Sequence, residues 1–388
     1  MHNTYWDMLY LMACGVNRIS PADKCTMSYK NNIQKINELY ILCKAHFADA
    51  LVGSVLKQSG VNVGNIWNEA IAKSIRKVVL FDAERAQILS YMESQGIWYL
   101  PLKGIIMKEL YPAVGMRQMS DNDILFDADY SDTMHDYMVT RGYETESFGM
   151  GNHDVYKKAP VYNFELHRAL YGSTGRKEWV DYYADVKKRL IHDENSSYGY
   201  HLRDEDFYVY ITCHAYKHYC GSGTGVRTLL DFYVYLISHP DMDMEYIQQE
   251  CRGLGIDDFE KESRRLCRKI FSNSVCENYD IRVVEDSLTP SEKDMLAYYL
   301  TSGAYGSYDR LISNRIDRFQ NENRGASKFR YMLHRLFPGM DVYREYYSFF
   351  YRHKLLLPVG WLYRIIRLTY DKDRRRRAII EAKVIKHK

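Results

Sequence analysis

The 388-residue sequence holds no C-x-x-C pair. Its eight cysteines stand apart at positions 14, 25, 43, 213, 220, 251, 267 and 276. A chain of this size needs no disulfide framework, so reduced, mostly packed thiols are expected, as in a cytoplasmic protein. No stretch reaches the roughly 18 uninterrupted apolar residues of a membrane span. The opening MHNTYWDMLYLMACGVNR has no basic leader and is broken by Asp7, which predicts an amphipathic helix rather than a signal peptide. The G-x-x-x-x-G-K-[ST] phosphate loop is missing too. CGSGTG at 220–225 has its composition without its spacing and reads as a flexible connection. There is no H-E-x-x-H, and no internal repeat. His214 and His218 have the i, i+4 spacing of zinc ligands but no convincing further ligand, so hydrogen bonding between domains or a nucleotide contact beside Lys217 is the better expectation.

What is present is ordinary globular composition, 46% hydrophobic and 27% charged, in a chain long enough for two or three domains. Tyrosine is abundant, with 36 residues, and fills core and interface positions without pointing to a function. The net charge of +3 is unevenly spread. From position 324 onward 17 Lys/Arg face 5 Asp/Glu, a local +12, so the preceding 323 residues carry −9. An acidic body with a basic tail implies an anionic partner for the tail.

Along the chain, residues 1–95 read as a helical region with a break near Ser20-Pro21 and a second helical pattern over 67–95. Gly96 has the place of a C′ residue. The period then changes. IWYLPL predicts a short strand, Lys103-Gly104 a turn, IIMKELYPAV a helix, GMRQMS a loop and DNDILF an alternating strand. SDTMHDYMVTRGY predicts a helix and VYNFELHRAL another strand, which makes 96–200 an α/β core. Residues 201–325 read as a helical domain and 326–388 as a basic, aromatic tail.

The chemistry is concentrated in Asp121-Asn122-Asp123, at the start of a strand. Residues two apart on a strand share a face, so Asp121 and Asp123 point together and Asn122 away. Mg²⁺ takes a few carboxylates plus the substrate's own phosphates. Gly104, between strand and helix, offers backbone N–H groups to phosphate, and Arg117 and Ser120 add charge and a hydroxyl. Asn163, Glu165 and His167 share one face of the later strand, and Glu165 can supply a third carboxylate. His167 positions substrate or is simply a hydrogen-bonded strand histidine. Arg227 and Asp231, one helical turn apart, read as an i, i+4 ion pair.

The set L-K-G, Arg117-x-x-x-Asp121-x-Asp123-Ile-Leu and F-E-L-H resembles an incompletely characterised bacterial nucleotidyltransferase family of the polymerase β-like superfamily. The resemblance covers roughly residues 66–231, including H-A-x-x-H and the later L-x-D. It implies an α+β fold, a small mixed sheet with helices, flanked by N- and C-terminal helical regions. It also implies that Asp121, Asp123 and Glu165 are the catalytic, Mg²⁺- or Mn²⁺-binding carboxylates, and that Gly104 belongs to the nucleotide-binding turn. The implied reaction is attack by an acceptor on the α-phosphate of an NTP, releasing pyrophosphate, with a small molecule, saccharide, protein or RNA as the acceptor. The superfamily's turn is usually Gly-Ser. Lys103-Gly104 stands there instead, and Lys103 either contacts phosphate or is a solvated strand-end lysine. Two rivals remain: a catalytically silent nucleotide-binding module, and an RNA-modifying, toxin-like transferase using the basic tail.

Within that tail, YSFFYRHKLLLPVGWLYRIIRLTY groups Trp361, Leu362, Ile365 and Ile366 opposite Arg364 and Arg367. Such a helix lies on an anionic membrane surface, binds nucleic acid, or packs on the body with Trp361, Ile365 and Ile366 buried.

Overall fold

The computed structural model describes the chain apart from residues 1, 2, 31, 278, 324, 326 and 388, so the expected tail boundary at 326 lies outside the described residues. The fold is mixed α+β, a small mixed sheet set among helices. Helix Asn65–Gln95 ends on Gly96, which is left-handed at φ 70° and ψ 25°. Glycine adopts that conformation without a Cβ clash. Gly96 N–H donates to Glu93 O and Ile97 N–H to Met92 O, closing the last turn and launching the first strand.

The sheet comprises β1 (Tyr99–Pro101), β2 (Asn122–Phe126), β3 (Glu144–Ser147), β4 (His153–Lys158) and β5 (Tyr162–His167), in the order β1-β2-β5-β4-β3. β2 and β5 are parallel and every other pair is antiparallel. A separate hairpin pairs β6 (Leu190–His192) with β7 (Tyr200–Leu202). β3 and β4 are additions to the three strands expected of the core. ETES is an exposed, charged edge strand, and HDVYKK buries only alternate residues, so neither carries an apolar run.

Alternation divides the sheet into two faces. Ile124, Phe126, Tyr156, Phe164 and Leu166 pack on Val78, Phe81, Ile88 and Met92 of helix Asn65–Gln95 and on Met134 and Met138 of helix Ser131–Thr140. Asn122 shares that face and accepts from Arg85 Nη1 at 3.0 Å. Asp123 and Glu165 therefore point the opposite way, toward helices Asp204–Tyr219 and Arg227–Ser238. The stretch IIMKELYPAV is less helical than its composition suggests: a turn at Gly104–Met107 and a 3-10 turn at Lys108–Leu110. Pro112 drives Tyr111 to an extended ψ of 150° and stops it there.

The second core joins the amino-terminal helices to those after residue 204. Helix Asn3–Asn17 reaches residues more than 250 positions away through Tyr10 OH, which donates to Cys276 O, and Asn17 Nδ2, which donates to Phe271 O. All eight cysteines are free thiols, and all but Cys220 are buried. Among the described residues, no helix is long and apolar enough to cross a membrane. In the tail, helix Lys372–His387 folds back on helix Tyr308–Glu322. Helix Leu357–Tyr370 rests Trp361 against Phe337 but leaves Ile365 41% and Ile366 48% exposed, against the packed-helix expectation. Glu345 ties the tail to the body, accepting from Ser173 Oγ, Thr174 N and Thr174 Oγ1.

Candidate active site

Parallel pairing of β2 with β5 sets Asp123 beside Glu165 in register. Both, with Asp121, line one cleft of about 340 Å³, whose opposite wall carries Ile211, His214 and His218 from helix Asp204–Tyr219 and Arg227, Thr228 and Asp231 from helix Arg227–Ser238. The sheet supplies the acids and the helical region supplies the lid. Lys103, Gly104, Arg117 and Ser120 complete the lining.

Asp123 is the best-partnered carboxylate. Its Oδ1 accepts from Lys103 Nζ at 2.7 Å and hydrogen-bonds His167 Nε2 at 2.9 Å. Burial alone would raise its pKa, but the Lys103 charge and then the His167 hydrogen bond hold it well below the usual carboxylate range. Neither neighbour has a lysine on it at hydrogen-bond distance. Burial first, then the Asp123 charge, pushes Glu165 up to about 8 and raises Asp121. Three acids with one lysine among them form a donor set suited to a hard dication. His167 stays neutral, because burial lowers its pKa.

Lys103 is neither solvated nor free. It sits at φ +46°, left-handed for a residue with a side chain, and its ammonium lies on Asp123. Gly104 is required by close packing: a Cβ there would come 2.9 Å from Arg117 Nη1 and 3.1 Å from Met119 Sδ. The expected row of free amides after the turn is largely spent, since Ile105 N–H donates to Leu102 O and the amides of Ile106 and Met107 to Lys103 O. Ser120 hydrogen-bonds the Asp121 side chain and gives its carbonyl to Lys77 Nζ.

Two arginines differ from the sequence reading. Arg117, expected at a triphosphate, uses Nε and Nη2 to grip both oxygens of Asp231, each at 2.8 Å. Tyr111 OH donates to the same carboxylate. Arg227 is thereby left out of the expected pair with Asp231. Its Nη1 donates to Gln118 O, and among the described residues it makes no ion pair. Burial and then the adjacent Arg117 lower its pKa, the mark of a cation with too little anion around it. Helical spacing made Arg227 and Asp231 look like partners, but the fork geometry of Arg117 wins the carboxylate from another element. His214 and His218 hydrogen-bond each other across 3.2 Å on the cleft wall.

His153 was not singled out from the sequence. It opens β4 directly opposite His167, and its Nε2 lies 3.6 Å from Glu165 Oε2. The alternating H-x-V-x-K run before Ala159-Pro160 was the available signal for a hairpin partner to β5.

A family model described as "Uncharacterised nucleotidyltransferase" matches residues 33–272. No curated protein and no solved structure shows a significant match.

Proposed function

The chain belongs to this family of uncharacterised nucleotidyltransferases, and on that footing we propose that it transfers a nucleoside monophosphate from an NTP to an acceptor, releasing pyrophosphate. The observation that carries the reading is the lining of one cleft by Asp121, Asp123 and Glu165, facing Arg227 on the opposite wall. Asp121, Asp123 and Glu165 are the residues to hold Mg²⁺ or Mn²⁺, which when bound stabilises charge on the α-phosphate and on the departing pyrophosphate. Glu165, whose pKa burial and the Asp123 charge push up to about 8, would join the cation's ligands as a carboxylate and orient the attacking acceptor group.

Lys103 keeps Asp123 ionised and occupied until nucleotide arrives, then turns its ammonium to the β- and γ-phosphates. Arg227 meets the triphosphate from the helical wall. Arg117 acts through Asp231 as a positioning residue, and Gly104 lets it approach the turn. Ser120 orients Asp121, and His167 orients Asp123. Tyr305, 71% exposed on the cleft lining and set edge-on to Phe47, offers a face on which a nucleobase can stack. The acceptor is a small molecule, saccharide, protein or RNA.

The silent-module reading draws on one observation, the Lys103 ammonium standing where a cation would bind. Pyrophosphate release separates the two. NTP, Mg²⁺ and cell extract yield pyrophosphate in step with added enzyme if transfer occurs. Nucleotide binding with no pyrophosphate above the extract's own rate contradicts it.

The tail is proposed to touch an anionic membrane surface. Leu355 is 97% exposed, and Leu362, Ile365 and Ile366 are half-exposed beside Arg364 and Arg367. That pairing of apolar insertion with basic attraction suits a peripheral contact.

A further inference from the structure

We propose that His153, Glu165 and His167 form a nitrogen-rich metal site that takes a first-row transition dication of the Mn²⁺ or Zn²⁺ kind in preference to Mg²⁺. One ligand atom from each lies within 4.8 Å of the others, on strands β4 and β5. Antiparallel register sets His153 opposite His167, so both rings leave the same face, and Glu165 is two residues from His167 on that face. Their rings stack with centroids 4.9 Å apart.

The separations suit a shared ion. His153 Nε2 and His167 Nε2 lie 3.6 and 3.7 Å from the same Glu165 Oε2. Donors about 2.0–2.2 Å from a common tetrahedral ion stand roughly 3.4 Å apart, so these two edges close with shifts of a few tenths of an ångström. The imidazole–imidazole edge closes by rotation of His153, whose side chain is 34% exposed and has room to turn. That exposure also gives the ion an entry path and leaves positions open for water or substrate.

The outer partner of His153 points the same way. Asn152 Oδ1 lies 3.3 Å from His153 Nδ1, which places the ring proton on Nδ1 and turns the Nε2 lone pair toward Glu165. His167 Nδ1 is buried without a hydrogen-bond partner, so the ring is held from its Nε2 side alone. Ligation through Nε2 would need the His167 ring proton on Nδ1 and would replace the Asp123 hydrogen bond. Lys103, the nearby cation, is already matched by Asp123.

Donor chemistry decides the ion. Mg²⁺ asks for oxygen ligands and gives up water reluctantly, whereas two imidazoles and a carboxylate suit Mn²⁺, Zn²⁺ or Co²⁺. The site shares Glu165 with the proposed carboxylate trio but does not depend on nucleotidyl transfer.

The test is direct binding. Full-length protein stripped with chelator is titrated with Co²⁺ in a large excess of Mg²⁺, following the visible absorption of the bound ion. Co²⁺ is expected to bind one to one despite the Mg²⁺, to be displaced by Zn²⁺, and to lose about tenfold or more in affinity in His153→Ala and His153→Gln. Circular dichroism on each variant separates lost ligands from lost fold, with His153→Gln as the conservative partner. Co²⁺ displaced by Mg²⁺, or bound equally well without His153, overturns the site. Transfer activity with Mg²⁺ alone in that case leaves the proposed function standing, and His153-dependent Co²⁺ binding without any transfer leaves this site standing and removes that function.

Discussion

Arg117 and Asp231 meet through two parallel hydrogen bonds of 2.8 Å, Nε to Oδ1 and Nη2 to Oδ2, across 114 residues of sequence. The pair ties the loop before β2 to helix Arg227–Ser238 and so fixes the distance between the two walls of the cleft. Removing one partner of a buried pair leaves the other charge stranded, at a cost of about 3–5 kcal/mol. Arg117→Ala is expected to lower the melting temperature sharply. Arg227→Ala, which breaks no ion pair, is expected to leave melting nearly unchanged and to weaken NTP binding about tenfold or more. Calorimetric melting and nucleotide titration of the two variants check this, and the opposite order of effects contradicts the assignment.

Lys103→Met removes the ammonium from Asp123 while keeping much of the side chain's bulk. Without it three carboxylates share the cleft unrelieved, so the metal-free protein is expected to melt lower. Divalent cations then meet no competing cation at Asp123 Oδ1, only the His167 hydrogen bond, and their affinity in the absence of nucleotide is expected to rise. Titration with Mn²⁺, followed by its paramagnetic resonance signal, measures this. An unchanged or weaker Mn²⁺ affinity contradicts Lys103 as a stand-in for the ion.

Glu165 sets a pH dependence. Burial and Asp123 raise its pKa from the ordinary 4.5 to about 8. The protonated form is thus favoured in the folded state, and the associated stability is present below about pH 4.5 and lost as pH rises through about 8. Cation binding requires the carboxylate, so it releases a proton near pH 7 and progressively less above pH 8. Metal titrations by calorimetry in buffers of different ionisation enthalpy count that proton, and Glu165→Gln is expected to remove it. Proton release that is the same at pH 7 and pH 9 contradicts the raised pKa.

Much of this was legible in the sequence because local patterns carried it. The 3.6-to-2 change of period at Gly96, the shared face of Asp121 and Asp123, and the run ending in Glu165 and His167 all rest on near-neighbour spacing. What was not legible depends on which distant groups meet. Helical spacing offered Asp231 to Arg227, and only the fold brings Arg117 to it. Lys103 read as a strand-end lysine or a phosphate ligand, and its partner Asp123 lies twenty residues on. His153 sits on a strand whose mostly polar residues gave no apolar run, so its place opposite His167 needed the hairpin register.

The tail makes a separate forecast. Leu362→Glu with Ile366→Glu puts two charges on half-exposed positions of helix Leu357–Tyr370. Cosedimentation with vesicles rich in phosphatidylserine is expected for the full-length protein, to weaken in high salt, and to be lost in the double variant, with melting little changed. Failure of the full-length protein to sediment with such vesicles contradicts the membrane contact.

The most direct measurement follows the label. Protein, Mg²⁺ or Mn²⁺ and cell extract are incubated with each NTP carrying its radioactive phosphate at the α position, and in parallel at the γ position. Label from the α position is expected to enter an acceptor, label from the γ position to leave in pyrophosphate, and Asp123→Asn and Glu165→Gln, correctly folded, to abolish the transfer. Label entering the acceptor from the γ position, or transfer undiminished in Asp123→Asn, contradicts the proposed function.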